Sequence, residues 1–123
     1  MRVLSTRTHA MIGLATGVAL LVAPNLFGFS DVGGAAVTVP RLVGLLIIGS
    51  ELLANNGLSP LRVIPMKAHL LMDQVTGLFL AASPWLFGFA DEEANAWVPH
   101  VLVGLFVFGY TFFTRTDPDN QNA

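Results

Sequence analysis

Cysteine is absent from all 123 residues, which removes disulfides, thiolate metal ligands and thiol chemistry at once. Charge is scarce as well: 11% of residues are Asp, Glu, Lys or Arg, against roughly a quarter in soluble domains. So little charge cannot cover a water-facing globule. Six scattered Lys and Arg form no patch able to track a phosphate backbone, so nucleic acid is excluded as a partner. No convergent nucleophile, metal set or cofactor motif is visible, and the chain is expected not to be an enzyme. What remains is apolar: 54% of residues are hydrophobic and the mean hydropathy is +0.67.

The apolar residues recur. His9, Thr16, Gly17, Leu20, Pro24, the run Leu26-Phe27-Gly28-Phe29 and Asp31 return 60 positions later as His69, Thr76, Gly77, Leu80, Pro84, Leu86-Phe87-Gly88-Phe89 and Asp91. Leu42-Val43-Gly44-Leu45 answers to Leu102-Val103-Gly104-Leu105, and Gly49 to Gly109. A repeat of this length determines architecture before other signals are read. It divides one membrane domain into a first repeat at 9–54, a linker at 55–68, a second repeat at 69–114 and a polar tail at 115–123.

Each repeat holds two apolar runs near the ~20 residues that cross a hydrocarbon core. The expected helices cover residues 10–29, 37–54, 70–89 and 98–114. Pro40 and Pro99 are expected at the starts of the second and fourth, where a missing N–H costs nothing. Arg2 and Arg7 before an apolar run look like a secretory signal, but the same segment recurs deep inside the chain, so the first helix is retained. Arg2, Arg7, Arg62, Lys67 and Arg115 then fall on one side, and Arg41 on the other with Asp31, Asp91, Glu92 and Glu93. Basic residues in short loops stay cytoplasmic, which places both termini inside a prokaryotic inner membrane. The expected fold is all-α and integral to the membrane. It has four transmembrane helices as two tandem parallel hairpins, related by a pseudo-two-fold axis along the membrane normal.

The stretch from His69 through Asp73, Gly77 and Ser83-Pro84-Trp85 to Gly88-Phe89 resembles the SPW repeat family, small prokaryotic membrane proteins with two transmembrane helices per repeat. The resemblance covers both copies, although the first reads Ala23-Pro24-Asn25 at the tripeptide and Gly13 opposite Asp73. It implies this topology and carries no activity. Read physically, Pro84 ends the span, Ser83 offers its hydroxyl to the freed carbonyl, Trp85 anchors at the interface and Gly88 turns the chain.

Gly13, Gly17, Gly44, Gly49, Gly77, Gly104 and Gly109 are expected at close helix contacts between hairpins or between subunits. Glu51 and Asp73 are the sharper candidates, since acids within membrane helices are costly, and His69 shares a face with Asp73. Glu51 should need a partner such as Lys67, Arg62 or a histidine. Asp73 should profit from the first turn of its helix. His9 and His69 could hold a haem or metal, but interfacial anchoring is the preferred reading, and no cofactor is expected, nor a pigment at Phe106, Phe108, Tyr110, Phe112 and Phe113. The leading functional expectation is a scaffold or accessory element, a homo-oligomer or part of a larger membrane complex. The alternative is a proton- or ion-linked transport or sensing unit using Glu51, Asp73 and His69. Neither acid is duplicated: their counterparts are Thr111 and Gly13.

Overall fold

The structure is a computed structural model that describes residues 2–116, so residues 117–123 of the expected tail lie outside the described residues. Its four helices are α1 (Thr6–Leu26), α2 (Gly34–Leu53), α3 (Met66–Leu86) and α4 (Ala94–Tyr110), the last extended by a 3-10 turn over Thr111–Phe113. Among the described residues there is no strand, only two isolated bridges.

The helices start three to four residues before the expected positions, and the causes are local. Ser5 takes an extended conformation and accepts the Thr8 N–H at 3.0 Å, which caps α1 ahead of the apolar run. At the far end, Gly28 and Gly88 sit at φ of 75° and 76°. The amides of Phe29 and Phe89 reach back to the carbonyls of Pro24 and Pro84 at 2.8 Å each. This is a Schellman closure, in which a left-handed glycine just past the helix end satisfies orphan carbonyls. Pro40 and Pro99 do not start their helices: they are the seventh residue of α2 and the sixth of α4. Each therefore removes one hydrogen bond to the carbonyl four residues earlier.

Three segments are long and apolar enough to cross a membrane: Thr6–Leu26, Gly34–Leu53 and Ala94–Phe113. α3 is as long as α1 but carries Lys67, His69, Asp73 and Gln74, which lower its hydropathy. Buried positions in α1 fall at 6, 9, 10, 13, 17, 20, 23 and 24, and in α3 at 66, 69, 70, 73, 77, 80, 83 and 84. Steps of three and four place each set on one helix face.

α1 packs mainly on α2, and α3 on α4. A Cβ on Gly17 would lie 2.9 Å from the Gly44 carbonyl oxygen, and one on Gly44 would lie 2.6 Å from that of Gly17. Gly77 and Gly104 make the same mutual approach at 2.7 and 2.6 Å. These glycines therefore close the seam inside each hairpin, contrary to the expected contact between hairpins or subunits. Gly49 and Gly109 line no seam, since nothing stands within 4 Å of an added Cβ. Leu20, Val39, Val43, Ile47, Leu80, Val107 and Tyr110 fill the centre between the hairpins.

Residues 54–64, the segment before α1 and the segment after α4 gather at one end of the bundle. Leu4 bridges to Thr114, and Ala54 to Ile64. At the other end the turn after α1 meets the start of α4, where Asn95 Nδ2 donates to the Phe27 carbonyl at 2.8 Å. Gly77→Ala is expected to destabilise the protein by about 1–3 kcal/mol through overpacking against backbone. Gly109→Ala, in open space, should be neutral or stabilising by up to about 1 kcal/mol. Thermal unfolding in detergent compares the two, and equal effects would contradict this account of the seams.

Candidate functional site

Four ionisable side chains converge beneath the end that carries the linker. His9 comes from α1, Glu51 from α2, and His69 and Asp73 from α3. Each is at most 2% exposed. His9 Nε2 stands 2.8 Å from Asp73 Oδ2 and 3.5 Å from Glu51 Oε2. His69 Nε2 stands 3.1 Å from Glu51 Oε2 and 3.3 Å from Asp73 Oδ2. Nitrogen and oxygen thus alternate around a small ring, and all four atoms lie within 4.8 Å of one another.

The shell around this ring comes from α4, the segment that follows it and the linker. Tyr110 stacks flat on His9, with ring centroids 4.3 Å apart and 6° between planes. The Thr114 hydroxyl donates to the Tyr110 carbonyl at 2.8 Å and lies 2.9 Å from His9 Nδ1. A hydroxyl whose proton is committed can only accept, so Nδ1 carries the hydrogen and Nε2 is the nitrogen turned to Asp73. Asn56, fully buried, donates to the Glu51 carbonyl at 2.9 Å and approaches Oε1 at 3.4 Å. Glu51 Oε2 and both nitrogens of His69 make no hydrogen bond, because the close approaches are not aligned for one.

Glycine makes room for this arrangement. A Cβ on Gly13 would run into the Glu51 carboxylate. At the equivalent place 60 residues on, Asp73 itself occupies the space, and the counterpart of Glu51 is the small Thr111, which donates to the Phe108 carbonyl at 2.6 Å. One hairpin supplies its acid from the second helix and the other from the first.

Several expectations need correction at this site. His9 and His69 are not interfacial anchors: both are fully buried, and His9 has a carboxylate at 2.8 Å. Asp73 is not in a first turn. α3 begins at Met66, which puts Asp73 two turns in, where a helix dipole offers little. Among the partners weighed for Glu51, a histidine is the one found. Both acids are sealed from solvent and do not reach the membrane edge by snorkelling.

The tripeptide lies at the opposite end. Ser83 donates to the Leu80 carbonyl at 2.7 Å, the acceptor that Pro84 leaves without an amide. Trp85 is 61% exposed and meets Trp97 edge-on at 5.9 Å. With Gly88 in the left-handed turn, the motif acts on the end of the helix and lies far from the four ionisable groups. A family model described as the SPW repeat domain matches residues 6–114. The chain belongs to the SPW repeat family. Its long apolar helices and this membership make it a multi-pass membrane protein. No curated protein and no solved structure matches the chain. Within this SPW repeat protein, sequence reasoning missed Tyr110, Thr114 and Asn56 as site neighbours. It also missed His100, buried against Phe89 and donating from Nδ1 to the Ala96 carbonyl at 2.7 Å.

Breaking a buried pair strands the remaining partner, at a cost of about 3–5 kcal/mol. His9→Leu and Asp73→Leu are each expected to destabilise on that scale. The double variant should lose less than the sum by about 0.5–3 kcal/mol, as residues in contact do. Thermal unfolding of the four proteins measures that coupling, and strict additivity would contradict it.

Proposed function

We propose that this SPW repeat protein is an ion-linked transport or sensing unit, and that the His9–Glu51–His69–Asp73 ring is the place where it takes up a cation. The convergence of both acids and both histidines at one sealed point carries this reading. Two carboxylates buried in a medium of low dielectric need positive charge beside them, because uncompensated charge there is costly. A cation-binding role accounts for that cost, whereas a scaffold has no use for it. The glycines that favoured an assembly role act inside the hairpins, so the scaffold reading loses its main support.

The proposed setting is four spans, as two tandem parallel hairpins about a pseudo-two-fold axis, with both termini on the cytoplasmic side of a prokaryotic inner membrane. α3 counts as the third span because His69 and Asp73, which lower its hydropathy, turn inward, while Leu71, Val75, Leu78 and Phe79 face out. The recurrence of buried positions and of end-to-end bridges at 60-residue intervals supports the pairing of hairpins. The five basic residues gathered at the linker end support the orientation.

A reporter active only in the cytoplasm should work when fused after Arg115 or inserted near Gly57, and fail when inserted near Asp31 or Glu92. The reverse pattern, or different sides for Gly57 and Arg115, would overturn the topology. For the site, a cation bound only by the folded state raises Tm by mass action. Titrating sodium, lithium, magnesium and zinc salts separately against the detergent-purified protein should find at least one that raises Tm by several degrees. The shift should vanish in Glu51→Gln/Asp73→Asn at unchanged helical circular dichroism. No shift with any of the four, or a shift that survives in the variant, would sink the reading.

A further inference from the structure

The geometry points to a divalent transition metal of the zinc class as the cation, held by His9 Nε2, His69 Nε2, Glu51 Oε2 and Asp73 Oδ2. This rests on the cation-binding reading and goes beyond it by naming the chemistry of the ion.

Distance is the first argument. Around a four-coordinate centre with bonds of about 2.0–2.1 Å, neighbouring ligand atoms stand roughly 3.3 Å apart. The four nitrogen–oxygen edges of the ring are 2.8, 3.1, 3.3 and 3.5 Å. They bracket that value, and the two remaining separations stay within 4.8 Å.

Donor type is the second. Sodium, magnesium and calcium prefer oxygen ligands and gain little from imidazole, whereas zinc, cobalt and nickel take mixed nitrogen and oxygen sets. Two histidines in a sealed site argue against the hard cations. Charge agrees as well: two carboxylates neutralise one divalent ion, leaving no net charge in the low-dielectric surroundings.

Unmet valence is the third. Glu51 Oε2 and His69 Nε2 are buried, turned into the ring and without a hydrogen bond. Such orphaned atoms are rare in native proteins and call for an explanation. At His9 the Thr114 hydroxyl engages Nδ1, which turns Nε2 toward Asp73 Oδ2 at 2.8 Å. A metal ion bound there takes the place of the proton that the two atoms share. Holding the distal nitrogen of a histidine through a neighbouring acceptor is also how metal-binding imidazoles are commonly oriented. Thr114 is thus a positioning residue, and Tyr110, stacked on His9, fixes the ring plane.

The test uses the full chain, purified in mild detergent without a histidine tag, stripped with chelator and titrated with cobalt(II). The expected result is one cobalt per chain, with the intense visible absorption of a four-coordinate centre, displaced by one equivalent of zinc. His69→Ala should lower cobalt affinity at least 100-fold. Thr114→Val, which keeps the shape and removes the acceptor, should lower it about 10- to 100-fold. His100→Gln should leave it unchanged. Should His69→Ala misfold, Glu51→Gln serves as the second ligand variant, with helical content checked by circular dichroism. Failure of the folded protein to take up cobalt, a weak six-coordinate spectrum, or full affinity in the ligand variants would overturn the assignment. If sodium or lithium raises Tm through Glu51 and Asp73 while cobalt does not bind, the metal falls and the cation reading stands. If no cation acts, both fall.

Discussion

A polar side chain surrounded by hydrocarbon has only the rest of its own protein to meet, and this constraint organises the whole bundle. Lipid tails are as apolar as leucine, so apolar burial alone does little to hold one hairpin against the other. Close backbone packing and polar contacts must do it. His9 on α1 and Asp73 on α3 stand 2.8 Å apart. Glu51 on α2 reaches His69 on α3. Two of the cross-links between hairpins therefore run through ionisable groups, at a single level in the membrane.

The glycine seams make that level reproducible. Gly17 lies eight residues beyond His9 and Gly77 eight beyond His69, so each seam locks its hairpin about 12 Å from the ring. Backbone against backbone leaves no slack for sliding. At the far end, the proline, glycine and reaching amide stop α1 and α3 at matching depths. Helix length, seam and helix stop together set the axial register that brings donors from three helices to within a few ångströms.

The four helices were legible because each rests on a long apolar run bounded by glycine, proline or polar residues. Helix starts were less legible, since they depend on single residues such as Ser5, whose capping hydrogen bond overrides the hydropathy profile. The histidines were misread because sequence distance from the apolar run suggested the interface, while α1 and α3 in fact begin a full turn earlier and carry both rings inside. The two exchanges between the copies were visible in the sequence, but their complementarity in size was not drawn out. Gly13 with Glu51 in one copy faces Asp73 with Thr111 in the other, and a large residue is matched by a small one each time. Such complementarity says that both positions border one space. It does not say what fills the space, because that depends on atom positions rather than on residue types.

The bridges at the linker end have one more consequence. The strand-like segment before α1 is held by the segment after α4 through Leu4 and Thr114, and the segment before α3 by the one after α2 through Ile64 and Ala54. Each hairpin begins where the other finishes, so these contacts form a closed circuit. Which hairpin is made first has no bearing on that circuit. A chain opened at the linker and joined near Leu4 and Thr114 would keep every helix beside its present neighbours, as adjoining ends generally permit.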